Sequence, residues 1–477
     1  MHDLTARLLD LATGLGASYA DVRVETRRVQ VVSVKNGVVN ALSDETSRGF
    51  GVRVLVDGAW GFASSAEFAP AELERVARLA VEIARASALA RRAPVALGPP
   101  VRSQGRYETP IQRDPFSVPI EEKLALLLAA DAAMRAVRGV TVAESSCECQ
   151  RVDKVFANSE GAYVEQVLIE TGGGIEALAV GEHETQKRSY PNSFGRHQGT
   201  AGYEFLEAMD LPGNAQRIAE QAVALLTAQP CPSEVTTLIL DPTQTALQIH
   251  ESCGHAIELD RVLGFEASYA GTSFLTPDKR GHFRYGSEVV TIVADATVPG
   301  GLGTFGFDDE GVPAQRTVIV DHGIFRNYLT SRETAAVFGE PSNGTMRADG
   351  WNRIPLIRMT NINLEPGPWR LEDLIADTDR GIYMETNRSW SIDDKRLNFQ
   401  FGTEIAWEIR GGKLGALLRN PTYTGITPQF WQSCDAVCRE WAVWGTPNCG
   451  KGQPSQVAHV GHGAAATRFR NVRVGVV

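Results

Sequence analysis

The chain has 477 residues and 43% hydrophobic content, enough to bury ample core, and at roughly 150 residues per domain its length suggests two or three domains. Its 47 Lys and Arg stand against 57 Asp and Glu, and a formal charge of -10 without long like-charge runs gives no electrostatic footprint for nucleic acid. No apolar run approaches the ~20 residues needed to span a bilayer, so neither nucleic acid nor membrane is expected as a partner. The first element, MHDLTARLLDLATGLGASYADV, reads as an amphipathic helix with Asp3 and Asp10 inside it, without the basic start and unbroken apolar region of a signal peptide. With an odd count of seven cysteines, this points to reduced thiols and a cytoplasmic location.

Next, VRVETRRVQVVSVKNGVVNAL alternates apolar and polar residues around Asn36-Gly37, a strong hairpin signal, and GFGVRVLVDGAWGFASS repeats the pattern around Asp57-Gly58. A helix follows at PAELERVARLAVEIARASALA, opened by a proline and an acidic first turn. The segment from Arg91 to Gln112 is rich in Pro, Gly and Arg and reads as a linker. A second unit repeats the theme: a helix at EEKLALLLAADAAMRAV, strands through TVAESSCECQRVDKVFANSEGAYVEQVLIETGG, and a helix at NAQRIAEQAVALLTAQ. Gly172 to Gly174 read as a turn, or as a place where a substrate backbone could come near. After a break at Gln229-Pro230-Cys231-Pro232 the sequence turns β-rich, with turns at Asp321-His322-Gly323 and Arg410-Gly411-Gly412. The expected fold class is α+β. Antiparallel hairpins plus helices fill an N-terminal region over residues 1–229, in two parts of about 1–95 and 110–229, and a β-rich C-terminal domain covers 230–477.

The second domain carries HESCGH, one residue longer than the zinc signature HExxH. VTTLILDP reads as a strand ending at Asp241-Pro242, followed by one helix over TQTALQIHESCGHAIELD that holds both histidines beside a cleft. On a regular helix, side chains five apart diverge by roughly 140°. A π-type turn would return His250 and His255 to nearly one face, and Gly254 is suited to absorb the irregular backbone despite weakening a helix by ~1 kcal/mol. A catalytic zinc site takes three protein ligands and a water, so a further donor must come from elsewhere. Cys434 and Cys438, four apart in a plausible helix, Cys449 in a glycine-flanked loop, and His459 and His462 are the candidates, with Cys449 leading because its loop can approach an ion closely.

HESCGHAIELD resembles the metal-binding motif of the TldD/PmbA family of metallopeptidases, known also as modulators of DNA gyrase. GFGVRVLVDGAWGFASS, YETPIQRDPFSVPIEEKLALL, FDDEGVPAQRTVIVDHGIFRNYLTSRETA, MTNINLEPG and CGKGQ are similar to further blocks of that family in the same order, so the likeness spans nearly the whole chain. The resemblance implies a TldD-like catalytic subunit, since His250, Glu251 and His255 are kept and Cys449 matches the ligand cysteine. It implies that these two imidazoles and the thiolate hold one divalent ion, Zn²⁺ by preference, with Glu251 as general base in peptide hydrolysis; Glu258 and Asp260 are the carboxylates best placed to orient the imidazoles, the alternative being a solvated helix end. It further implies a homodimer, or a heterodimer with a PmbA/TldE-like subunit, enclosing a cavity that admits unfolded or short peptides. KRLNFQFG departs from the usual SGDFSFG, and His459 and His462 occupy a stretch that is usually apolar, which bears on substrate preference. Trp431, Trp441 and Trp444 are expected in the core or a dimer interface, with the lining of a pocket as the alternative. A rival reading is a non-catalytic peptide- or protein-binding regulatory subunit; the intact Glu251 argues against it, because a structural metal site needs no base beside its ligands.

Overall fold

Alternating side chains make Tyr19–Lys35 and Val38–Val56 a long antiparallel hairpin, closed by left-handed Asn36 (φ 49°) and Gly37 (φ 80°). Asp57 (φ 49°) and Gly58 (φ 71°) then turn the chain into Ala59–Ser65. In this computed structural model, which describes residues 1–452 and 455–475, the helix Pro70–Ala88 lays Val76, Ala77, Ala80 and Ala84 on these strands. The second unit is built alike: the hairpin Val140–Asn158 with Tyr163–Val180 is covered by the helices Ile120–Arg135 and Leu211–Leu225, whose Leu127, Met134, Ala215 and Ile218 share one apolar cluster. Tyr19–Lys35 pairs antiparallel with Val140–Asn158, so the two units contribute to a single eight-stranded sheet.

Two expectations fail here. The Arg91–Gln112 segment is not linker throughout, because Gln104–Glu108 adds a strand parallel to Tyr163–Val180. No turn forms at Gly172–Gly174 either, since these glycines lie within the strand Tyr163–Val180. A β-carbon on Gly172 would stand 2.2 Å from the His197 carbonyl oxygen, and one on Gly174 2.4 Å from that of Gly195. The glycines therefore let the chain's own 193–199 segment lie against the sheet, a close approach that reads in sequence like a turn.

In the C-terminal half the strand Glu234–Leu240 lies between Arg380–Ile392, parallel to it, and Thr467–Val474, antiparallel. It belongs to a second eight-stranded sheet, and a four-stranded sheet built around Ile292–Asp295 packs into the same core, where Leu238, Ile249, Ile319, Trp431 and Phe469 are buried together. The architecture is α+β. The helix expected to carry Cys434 and Cys438 covers only Thr427–Gln432; Cys434 opens the strand Cys434–Val437, and both thiols are buried in the core cluster. Among the described residues, no helix is long and apolar enough to cross a membrane.

Candidate metal centre

Where the strand Glu234–Leu240 ends, the Asp241 carboxylate accepts from the backbone N–H groups of Thr243 (3.1 Å) and Gln244 (2.9 Å), capping the helix Pro242–Ile249 beneath the cavity. The continuous helix expected over 243–260 does not form. Residues His250–Gly254 make a π turn in which the His255 N–H reaches the His250 carbonyl, and His255–Ile257 tighten to a 3₁₀ turn. The wide turn places carbonyls outside the regular ladder, and Tyr285 donates its hydroxyl to one of them, Ser252 O, at 3.2 Å. Gly254 itself has ordinary helical torsions (φ -52°, ψ -55°), so the irregular backbone is not what requires glycine. Packing requires it: a β-carbon there would stand 2.3 Å from Met359 Sδ.

The π turn brings the ring centroids of His250 and His255 to 4.9 Å, with the rings perpendicular. Cys449 comes from the strand Ala442–Lys451, where a register shift between Thr446 and Cys449 bulges the chain toward His255, and its Sγ lies 3.7 Å from His255 Nε2. One donor atom from each of His250, His255 and Cys449 lies within 4.8 Å of the others, and all three residues are buried. Burial holds both imidazoles below their ordinary value, leaving them neutral with a lone pair available at neutral pH. Burial pushes the Cys449 thiol up, but the Arg358 guanidinium and His255 more than reverse this, and the net shift is toward thiolate. Two neutral imidazoles and a thiol drawn toward its anion fit a borderline-soft divalent ion.

Each imidazole is held from behind. His255 Nδ1 lies 3.0 Å from Glu258 Oε2, and His250 Nδ1 lies 2.8 Å from His462 Nε2, which orients the Nε2 of each ligand-position ring toward Cys449 and the cavity. Beneath Glu258, Lys451 Nζ approaches its Oε1 (3.4 Å) and Asp260 Oδ1 (2.7 Å), while Arg261 approaches Glu258 at 3.6 Å. Glu258 thus meets a histidine directly, whereas Asp260 is one step further out, bonded to Lys451 and to the Arg261 N–H. Arg358 ties in the second chain segment by donating to the Cys449 carbonyl.

Glu251 lines a cavity of about 440 Å³ with His250, His255 and Cys449, and its Oε2 accepts from Arg396 Nη1 at 3.1 Å. Arg396 stands in the tight turn between Arg380–Ile392 and Asn398–Arg410, with φ 62°. The other candidates lie elsewhere. Cys434 and Cys438 are core residues, and His459 Nδ1 pairs with Glu170 at 2.5 Å beside a separate small cavity. Trp431 is fully buried and donates to Ser252 Oγ at 2.9 Å, Trp441 donates to Leu364 O at 2.9 Å, and Trp444 packs against the His197 ring at 5.1 Å. Sequence patterning does not find Arg196, Arg396, Phe194 or Trp390, further large side chains of the cavity wall, because tertiary folding alone brings their segments to the motif.

Known proteins agree with this architecture. A family model described as the PmbA/TldA metallopeptidase C-terminal domain matches residues 233–475, and models of that family's domain 1 and central domain match 20–84 and 113–226. A metalloprotease of Methanocaldococcus jannaschii is 31% identical across 94% of this chain and 95% of its own length, and one of Methanothermobacter thermautotrophicus is 32% identical across 96% and 95%. The solved structure of TldE from Thermococcus kodakarensis has a similar fold, with a TM-score of 0.75 at 18% identity, covering 99% of this chain and 100% of that one. That of a described modulator of a DNA gyrase from Thermotoga maritima gives 0.78 at 18% identity with the same coverage. By the family models and the archaeal relatives, this chain belongs to the PmbA/TldD family of metallopeptidases and is a metal-dependent peptidase.

Proposed function

We propose that the chain hydrolyses unfolded or short peptides with Glu251 as general base, and that His250, His255 and Cys449 hold one Zn²⁺ ion. The observation that carries this reading is the convergence of those three donors and the Glu251 carboxylate on one cavity of about 440 Å³. When bound, such an ion supplies Lewis acidity toward the scissile carbonyl and makes water a stronger acid. The Glu251 carboxylate takes the proton of the attacking water and passes it to the nitrogen of the leaving amine, so it must be anionic before attack and free to release the proton afterwards. Arg396, donating from Nη1 at 3.1 Å, fixes the direction of the carboxylate. Glu258 and His462 each accept from the Nδ1–H of a ligand imidazole, keeping Nε2 as the lone-pair face. An extended substrate binds chiefly through its backbone, which every peptide offers alike. A cytoplasmic dimer, of identical chains or with a PmbA/TldE-like subunit, completes the cavity.

The test is metal content together with cleavage of an unstructured peptide. Glu251→Gln retains the metal and loses activity, whereas His255→Ala and Cys449→Ser lose both. Cleavage at the parent rate by Glu251→Gln with its metal bound overturns the general-base role.

A further inference from the structure

Part of the wall of the cavity that holds the two histidines is aromatic. Phe194 and Trp390 both line it, and they remain 40% and 43% exposed. They come from distant parts of the chain. Phe194 belongs to the short turn Ser193–Gly195 that packs on the N-terminal sheet, whereas Trp390 lies near the end of the strand Arg380–Ile392 in the C-terminal half. Their rings meet edge to face, with centroids 6.3 Å apart and planes at 73°.

Three features set this pair apart from incidental surface aromatics. Phe194 has φ 59° and ψ 24°, a left-handed conformation that disfavours a bulky residue, and the Asn192 side chain secures the turn by accepting from Ser193 N at 2.8 Å. Lys187 Nζ lies 4.3 Å from the Phe194 ring centroid and engages that ring in a cation–π contact. Ile392, two residues beyond Trp390 and so on the same side of the strand, continues the apolar wall together with Leu247 from the helix that leads into the motif. The result is an apolar patch inside a cavity that is otherwise lined largely by polar and charged groups, among them Arg196, Asn387, Asn448, Glu251, Arg396 and the metal-site residues.

We propose that Phe194 and Trp390 form a specificity subsite that seats one large apolar or aromatic side chain of the peptide substrate, an inference that rests on the peptidase reading of this cavity. Backbone pairing holds any peptide, and this subsite selects among registers by burying an apolar side chain against the two rings. Cleavage therefore falls at a fixed distance from a large apolar residue, and peptides of small polar residues are poor substrates.

The test uses the full-length, metal-loaded chain in a Glu251→Gln background, so that peptide stays intact while calorimetry reads its binding. The probes are a short unstructured Gly/Ser peptide and the same peptide with one central Phe. The Phe peptide is expected to bind about 10–100-fold more tightly, the discrimination an apolar pocket achieves for a well-fitted group. Phe194→Gly suits the left-handed backbone and Trp390→Thr suits a strand, so the double variant removes both rings while keeping the local conformation. It is expected to bind the two peptides within about 2-fold of each other, the preference having been supplied by the rings. Equal binding by the parent, a preference that survives in the double variant, or failure of both peptides to bind overturns the subsite. Digestion of a mixed peptide library by the unaltered chain separates the two levels. Cleavage without enrichment of large apolar residues overturns the subsite and leaves the peptidase reading standing, while absence of all cleavage overturns the peptidase reading and leaves the subsite to the binding preference.

Discussion

Glu258→Gln tests whether the carboxylate behind His255 supports both the fold and the metal centre. Glu258 is fully buried, 3.0 Å from His255 Nδ1, 3.4 Å from Lys451 Nζ and 3.6 Å from Arg261. At an effective dielectric of about 20, Coulomb's law gives about 5 kcal/mol of gross attraction to each cation, most of it offset by desolvation. Breaking one side of such a buried arrangement costs about 3–5 kcal/mol net, because the cations stay behind with less compensation. The amide also accepts more weakly from His255, and loss of such a partner lowers metal affinity by about 10–100-fold, or about 1.4–2.7 kcal/mol. Denaturant unfolding of apo and metal-loaded chains separates the two effects. The apo protein loses about 3–5 kcal/mol, and the loaded protein loses a further 1.4–2.7 kcal/mol or so, the amount by which its ion is held less tightly. Asp260→Asn is the comparison: it weakens the Lys451 contact at 2.7 Å without touching an imidazole, so its losses with and without metal are equal. Equal losses for Glu258→Gln with and without metal would show that Glu258 does not support the metal centre through His255.

Gly254→Ala drives a methyl group toward Met359 Sδ, and overpacking of about 1–3 kcal/mol outweighs the ~1 kcal/mol that alanine gains in a helix, so urea melts show net destabilisation; a stabilised variant contradicts the packing account. The His459–Glu170 pair predicts a pH window. Burial opposes the charge on His459, but Glu170 raises its pKa overall, so its contribution is complete below the ordinary imidazole value of ~6.5 and is lost as pH rises through the higher folded value. Glu170 is opposed by burial and lowered overall by His459, so its contribution is complete above ~4.3 and is lost as pH falls through the lower folded value. Denaturation midpoints against pH should show the alkaline decline in the parent and not in His459→Gln, and identical profiles contradict the pairing. Arg396→Met removes a charged hydrogen bond worth about 1.5–3 kcal/mol from Glu251, which converts to about a 10–160-fold fall in kcat/KM with metal content unchanged; parent-like cleavage contradicts its positioning role.

The sequence is most legible where chemistry is local. Alternation around Asn36-Gly37 and Asp57-Gly58 marks hairpins that form with both turn residues at positive φ. If His250 and His255 share one ion, their five-residue spacing calls for a π turn, and the chain makes one there. The reason for Gly254 is not local. Its torsions are ordinary, and the constraint comes from Met359, more than a hundred residues away in sequence. The same limit hides Arg396, whose turn reaches Glu251 only after Arg380–Ile392 pairs with Glu234–Leu240. Gly172–Gly174 mislead because a glycine run that clears space for a crossing segment looks like one that makes a turn. Cys434 and Cys438 mislead because a four-residue spacing fits a helix, while the chain leaves the helix at Gln432. His462 is visible as a candidate donor, but its contact with His250 Nδ1 depends on the strand pair that also carries Cys449.

A wide helical turn and a bulged strand together are proposed to aim two imidazoles and a thiolate at one divalent ion. Anomalous diffraction at the zinc edge from crystals of the metal-loaded protein tests it directly. One strong peak is expected at about 2.0–2.1 Å from the Nε2 atoms of His250 and His255 and about 2.3 Å from Cys449 Sγ. A peak held by other residues, or one that leaves Cys449 uncoordinated, would contradict it.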